Sequence, residues 1–263
     1  MHLFSIKLPL IKKNEPLLDI IIKNIKDKGE TLKEGDIIVI SEKIIATSQG
    51  RIINLDDIGN ISEKAKIMAK EYDMDERFVE LILQEASMIF GGLPRGHVIL
   101  AKVNDFLIAN AGIDQSNAGP NNLVLLPKNL KETVWNYWKK FREEFKLKNL
   151  GVIFADSRVQ PLRKGTIGIA IATAGFEPIE DLRGKPDLYK RPLQITMRAI
   201  ADDLTSAAQF LLNEADQQTP VVIIRGVEVA FTDNPQMTTE ISMEEDLYMN
   251  IFSSYLLKKK EDN

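Results

Sequence analysis

The stretch His97-Val-Ile-Leu-Ala-Lys-Val103-Asn104-Asp105-Phe106-Leu-Ile-Ala-Asn-Ala111 decides the fold class. Two runs of apolar and β-branched residues flank Asn104-Asp105, a pair of turn formers. The spacing predicts a β-hairpin, His97 to Val103 and Phe106 to Ala111. A hairpin joins antiparallel neighbours, and the elements around it do not alternate regularly between strand and helix. The expectation is therefore an α+β fold with mixed and antiparallel sheets, not a doubly wound α/β sheet.

Upstream, Asp36-Ile-Ile-Val-Ile-Ser-Glu-Lys-Ile-Ile-Ala46 reads as a β segment, and Arg51 to Asn54 as its continuation. Ser62 is placed to cap a helix. Asp75 to Ile89 carries apolar residues at helical spacing, with Gly91-Gly92 ending the run. Downstream, Leu123 to Leu126 reads as a short buried strand. Lys131 to Lys148 is an amphipathic helix with Val134, Trp138, Phe141 and Phe145 on one stripe. Gly151 to Ala155, Thr166 to Thr173 and Pro220 to Gly226 are further strands. Pro192 suits a helix start. The helix it opens reaches about Glu214, with so much Ala, Thr and Ser outside its apolar side that it reads as largely buried. Met243 to Leu257 reads as a terminal helix. No repeat or long linker is visible, so residues 1–263 form one unit, with 1–150 and 151–263 as a weakly marked subdivision.

The chain has 263 residues, no cysteine, 44% hydrophobic residues and a net charge of −4. Such a chain can bury a proper core. Without cysteine there is no disulfide framework, zinc–thiolate site or thiol nucleophile. No signal peptide or membrane-length apolar run is present, which fits a cytoplasmic protein acting on neither membrane nor nucleic acid. His2 lies at the terminus and His97 opens a strand, so acid–base chemistry falls to carboxylates, lysines or metal-bound groups.

Three acidic segments close apolar runs: Asn110-Ala-Gly-Ile-Asp114-Gln-Ser-Asn117, Asp156-Ser157-Arg158, and Glu214-Ala-Asp216. Carboxylates at the ends of buried elements can converge on a hard divalent cation, which takes oxygen ligands. Each also has a plain structural reading: an Asx-turn at Asp114, a solvated loop at Asp156, a helix-end glutamate at Glu214. Positive charge gathers after Asp156, at Arg158, Arg163, Lys164, Arg183, Lys185, Lys190, Arg191 and Arg198. That suits phosphate or carboxylate groups, or equally a surface of ion pairs. There is no Gly-x-x-x-x-Gly-Lys-Ser/Thr loop, and the Gly165 to Gly175 run lacks the dinucleotide fingerprint.

In order along the chain stand Gly35-Asp-Ile-Ile-Val-Ile with Lys43, then Asn110 to Asn117, then Asp156-Ser157 with Pro161 and Arg163. Asp181-Leu-Arg183-Gly184, Ala199-Ile-Ala-Asp-Asp-Leu, Glu214-Ala-Asp216, Val221 to Gly226 and Glu244-Glu-Asp-Leu-Tyr248 follow. This ordered set, spanning nearly the whole chain, resembles the coenzyme F420 gamma-glutamyl ligases of deazaflavin cofactor biosynthesis. The resemblance implies two interlocked subdomains and a homodimer. It implies a GTP-dependent ligase that activates the phospholactyl carboxylate of a phosphate-bearing deazaflavin as an acyl phosphate, which L-glutamate attacks. It implies two Mg2+ or Mn2+ ions, with K+ as a further ion, and catalytic roles for Asp114, Asp156 and Arg163. Asp114 and Asp156 hold the first ion, Ser157 and Glu214 the second. Nucleotide contacts fall to Leu8, Pro9, Leu10, Ile11, Glu42, Lys43, Asn117, Leu212, Asn213, Ala215, Asp216, Gln217, Gln218 and Thr219. The chain departs from the family pattern at Val159-Gln160-Pro161-Leu162-Arg163, where Gly-Arg-Pro-Trp-Arg is usual, and at Thr47, where lysine is usual. A neutral Gln160 does not replace an arginine's charge. Other readings of the same residues are an amide ligase with another acceptor or amino acid, a metal-dependent phosphatase or phosphotransferase, and a non-catalytic nucleotide-binding protein.

Overall fold

The run Ile37-Ile-Val-Ile40 is fully shielded from solvent, with every residue at 0% exposure. An unbroken apolar run of this kind marks a strand covered on both faces. The computed structural model describes residues 1–116, 118–212 and 217–250. Among them the chain forms, in order, β1 (His2–Ile6), α1 (Leu17–Asp27), β2 (Asp36–Ser41), α2 (Glu42–Ser48), β3 (Ile52–Asn54), α3 (Glu63–Tyr72), α4 (Glu76–Glu85), β4 (Met88–Leu93) and β5 (Val98–Val103). There follow β6 (Phe106–Ala109), β7 (Asn122–Val124), α5 (Leu130–Phe145), β8 (Leu150–Val159), β9 (Thr166–Ala174), β10 (Glu180–Asp181), β11 (Met197–Arg198), α6 (Ile200–Leu212) and β12 (Val221–Arg225). The fold is α+β, as the hairpin indicates.

Two compact units result. The first comprises Met1–Ile52 and Leu126–Thr239; the second comprises Ile53–Leu125 and the described part of Glu240–Asn263. The first unit is built on a five-stranded sheet in the order β1-β12-β2-β8-β9. Only the β2–β8 pair is parallel; its neighbours are antiparallel. Ile37, Val39, Ile153, Ala155, Val222 and Ile224 share one core with Ile200, Ala201, Leu204 and Ala208 of α6. The α6–β9 seam is close, because Gly168 has no side chain where the Thr205 backbone lies against it. Trp138 of α5 donates from Nε1 to the Leu150 carbonyl at 2.8 Å. Gly175 lies beside that indole with φ +90°, and a Cβ there would stand 2.1 Å from the same carbonyl oxygen, so only glycine fits.

Asp36 and Arg225 close one end of the sheet. Arg225 donates from Nε and Nη2 to the two Asp36 carboxylate oxygens, each at 2.8 Å, and Lys33 N adds a third donor at 2.8 Å. The second unit carries the expected hairpin. β5 and β6 pair with Val103 opposite Phe106, and β4 adds a third strand. Ser62 accepts from Ala65 N at 3.2 Å, the cap its position indicates, and Asp75 caps α4 by accepting from Arg77 N at 2.8 Å.

Four local expectations are corrected. Glu42 to Ser48 is a helix, not the second half of a strand: Ser41 keeps an extended backbone, and the chain then turns so that Ile45 and Ala46 reach the core. The run from Asp75 is helical only to Glu85. Met88 to Leu93 then forms a strand that contains Gly91 and Gly92, because pairing with β5 overrides the helical spacing. Pro192 does not open a helix; it bridges Pro186 within a two-stranded arm, and α6 begins at Ile200. Asp156, Ser157 and Arg158 lie inside β8, paired with Ile169, Gly168 and Ile167, so the loop begins only at Gln160. Of the expected terminal helix Met243 to Leu257, residues 247–250 are helical, Met243 to Glu245 form a turn instead, and residues 251–257 lie outside the described residues.

Candidate functional site

The candidate site of the first unit is built on β8 where the buried strand runs outward. Val152 to Ala155 are buried, and Asp156 and Arg158 follow on one face with side chains each 10% exposed. A bulge between Phe154 and Ala155 shifts the ladder immediately before Asp156. Such bulges re-aim the side chains that follow. Asp156 Oδ1 accepts from Ser157 N at 2.7 Å, and Oδ2 accepts from Arg158 Nε at 3.2 Å. Burial raises the Asp156 carboxyl above its ordinary range; Arg158, the Ser157 amide and Lys43 act in the opposite direction. A shielded carboxylate favours positive charge beside it, and Arg158 and Lys43 supply that charge here.

Lys43 belongs to α2, which packs against β8, so the Glu42-Lys43 pair expected at the nucleotide lies beside Asp156. Other expected nucleotide contacts also gather. Leu8 N donates to Gln218 O at 3.0 Å, which ties the Leu8 to Ile11 loop to the Gln217 to Thr219 segment. Thr219 Oγ1 donates to the Leu211 carbonyl at 2.7 Å, at the end of α6 beside Leu212. Within the loop, Leu8 and Ile11 are buried while Pro9 and Leu10 are exposed. Asn213, Glu214, Ala215 and Asp216, expected to supply a metal ligand and nucleotide contacts, lie outside the described residues, as does Asn117.

Arg163 is exposed in the turn joining β8 to β9, its amide donating to Gln160 O at 3.2 Å. The basic cluster divides in two. Asp181 binds Arg183 through both carboxylate oxygens and is held at a pKa of about 2 by that arginine, while Glu180 pairs with Lys185 and Arg198. Those three cations serve the β10–β11 arm. No ion pair of Arg163, Lys164, Lys190 or Arg191 forms among the described residues.

Asp114 belongs to the second unit. Asn110, Ala111 and Gly112 take φ of 50°, 55° and 70°, and the chain emerges so that Asp114 pairs with Val124 through both backbone groups. Asp114 Oδ1 accepts from Ser116 N at 2.6 Å and from Ser116 Oγ at 2.7 Å, the Asx-turn expected of it. His97 lies in the turn before β5, its Nδ1 set against the Asp73 carbonyl. Among the described residues no three His, Asp or Glu side chains gather closely enough to hold a metal ion.

One residue of the segment Ala199 to Leu204 has a role that the sequence alone does not assign. Asp202, in the first turn of α6, accepts from Ala170 N at 2.9 Å through Oδ1, which caps the amide beside the β8–β9 bulge. Burial raises its carboxyl above the ordinary range, and Arg158 opposes that rise. Its partner lies thirty-two residues away, so no local pattern marks it; an acid in a first helical turn reads as a complement to the helix dipole.

Comparison with known proteins gives a consistent result. The F420-0:Gamma-glutamyl ligase family model matches residues 5–226. The coenzyme F420:L-glutamate ligase of Methanocaldococcus jannaschii is 38% identical over 219 residues, covering 83% of this chain and 86% of that protein. The ligase of the same name from Methanothermobacter thermautotrophicus is 36% identical over 221 residues, covering 83% and 86%. That of Methanococcus maripaludis is 33% identical over 250 residues, covering 94% and 97%. The matched span takes in the buried β8 site, the α2 lysine and the α6 carboxylate alike, and the chain belongs to the F420-0:gamma-glutamyl ligase family.

Proposed function

We propose that the protein is a GTP-dependent ligase that joins L-glutamate to the phospholactyl carboxylate of a coenzyme F420 precursor. Family membership supports the glutamate ligation. The observation that carries the chemistry is the buried Asp156, followed by Ser157 and flanked by Lys43 and Arg158. A carboxylate is a poor electrophile, so amide formation needs prior activation. In this reading the γ-phosphoryl group of GTP passes to the acceptor carboxylate, the glutamate amine attacks the acyl phosphate, and inorganic phosphate leaves.

The donor set suits Mg2+ or Mn2+: a carboxylate and an adjacent hydroxyl, all oxygen, on a half-buried strand. Asp156 and Ser157 would hold the ions there, with Asp114 and Glu214 as the further ligands that the family resemblance implies and K+ as a further ion. Bound there, the ions draw charge from the transferring phosphoryl group. The protein's own part is to hold the Asp156 oxygens in place through Ser157 N and to present Lys43 toward the nucleotide phosphates. Leu8 to Ile11 and Gln217 to Thr219 form a nucleotide-binding edge, and Arg163 on its exposed turn meets the phosphate-bearing acceptor. Exposed Leu162, Leu188, Tyr189, Ile195 and Phe210 supply apolar surface for a homodimer. The test is Asp156→Asn. The variant retains its far-ultraviolet circular dichroism and loses glutamate ligation; retained turnover contradicts the role of Asp156.

A further inference from the structure

The β8–β9 ladder changes register in its middle. Phe154 is opposite Ala172 and Ala155 is opposite Ala170, so Ile171 of β9 is passed over. Pairing then continues as Asp156 with Ile169, Ser157 with Gly168 and Arg158 with Ile167. Side chains alternate between the two faces of a strand, so one extra residue in β9 exchanges the faces of all that follow it. Ala155 and Ala170 belong to the core shared with α6. Ser157 and Gly168 therefore face α6 too, while Asp156, Ile169, Arg158 and Ile167 face the opposite way. Phe154 shares that second face and meets Tyr137 of α5 edge-on, ring centroids 5.4 Å apart.

The bulge therefore decides what stands beside the acid. In the observed register the half-buried Ile169 is opposite Asp156, whose side chain is 10% exposed. In an unbulged ladder Ala170 would be opposite Asp156 and Gly168 opposite Arg158, leaving a methyl and a hydrogen where two isoleucines now shield the pair from water. Water screens charge, so an opened carboxylate acts more weakly on a bound cation or phosphate. A bulge also displaces a ladder amide. Here Ala170 N donates to Asp202 Oδ1 at 2.9 Å, and one helical turn on, Ser206 Oγ donates to the Gly168 carbonyl at 2.8 Å. Residues four apart share a helix face, so α6 grips the β9 backbone on both sides of Ile169.

We propose that Asp202 is a positioning residue of the ligation site: by holding the Ala170 amide it selects the bulged register, which sets Ile169 and Ile167 beside Asp156 and Arg158. The proposal rests on the reading of Asp156 as part of the reacting site.

The experiment compares Asp202→Ala with Asp202→Asn in the full chain, at a temperature where circular dichroism shows both folded. Ligation kinetics give kcat and KM, and cross-strand nuclear Overhauser contacts in labelled protein report the register. Asn keeps an oxygen for Ala170 N, so Asp202→Asn retains the Asp156–Ile169 contacts and the parent kcat. Ala offers none: those contacts weaken and kcat falls roughly tenfold while KM for glutamate holds. A merely structural role predicts a lower melting temperature with kcat and contacts unchanged. If Asp202→Ala does not fold, Ile169→Ala carries the test, because it opens the flank of Asp156 and leaves the Asp202 bond intact; its kcat falls by a similar factor. Parent contacts and parent kcat in Asp202→Ala, an Asp202→Asn loss as large as that of Asp202→Ala, or parent kcat in Ile169→Ala overturns the proposal and leaves Asp156 its role. A parent chain without ligation, or Asp156→Asn at the parent rate, overturns the site reading and the proposal together.

Discussion

Replacing Gly168 by alanine tests how tightly the site is braced. Gly168 is opposite Ser157 in the β8–β9 ladder. A Cβ at this position would lie 2.7 Å from the Thr205 carbonyl oxygen and 3.1 Å from Thr205 Cγ2. The carbonyl is helix backbone, and the buried Thr205 hydroxyl is bound to Ala201 O at 2.7 Å, so neither group can turn aside. Ordinary contact begins at 3.4 Å, so relief requires α6 to lift by about 0.7 Å. Overpacking of this kind costs about 1–3 kcal/mol. At about 2 kcal/mol the melting temperature of a chain this size falls by roughly 4–8 °C. The same movement draws Asp202 away from Ala170 N, so ligation slows even at temperatures where the variant is folded. The assay is a thermal melt paired with the initial rate of glutamate ligation at 25 °C. Ser206→Ala is the control: it removes one hydrogen bond at the same seam without a clash and costs about 1 kcal/mol. A Gly168→Ala variant with unchanged melting temperature and rate refutes the account of a close α6–β9 seam supporting the site.

Two further outcomes follow from the geometry. Burial holds the Asp202 carboxyl above its usual range, so the folded state keeps that proton to higher pH than the unfolded state. Stability therefore falls as pH rises from the ordinary carboxylate value through the raised folded value. Asp202→Asn escapes this loss: without divalent ions its melting temperature gains on the parent as pH rises through that window and the gain shrinks on acidification. A gain that widens on acidification contradicts the sign. At the other end of the sheet, Asp36→Ala leaves the Arg225 guanidinium and Lys33 N without their carboxylate and costs about 3–5 kcal/mol in urea unfolding. Asp36→Leu combined with Arg225→Met recovers part of that loss; a double variant no more stable than Asp36→Ala shows the pair is not the source.

The parts of the fold legible in the sequence are those set by neighbours in the chain. Asn104-Asp105 between two β-branched runs gives the hairpin, and the stripe Val134, Trp138, Phe141 gives α5. What escaped depends on distant partners. Ile44-Ile45 looks like strand, yet the chain turns into α2 directly after Ser41. Gly91 and Gly92 look like a helix stop, yet β5 recruits them into a ladder. Asp156 to Arg158 look like the start of a loop because they are polar, yet β9 carries their pairing to Thr166 and keeps the acid and the arginine on one half-buried face. The site divides in the same way. Asp156, Ser157 and Lys43 were recognisable through an ordered set of short segments. Asp202 stands in the same set, within Ala199 to Leu204, but carried no role there, because its partner is an amide thirty-two residues earlier.

The central claim is glutamate ligation, and mass spectrometry of the coenzyme tests it most directly. Purified protein is incubated with GTP, Mn2+, L-glutamate and the unglutamylated coenzyme, with ATP in a parallel reaction. The account predicts a product heavier by one glutamyl unit, formed with GTP and only when glutamate is present. No product from a verified acceptor, or phosphate release that is indifferent to glutamate, contradicts it.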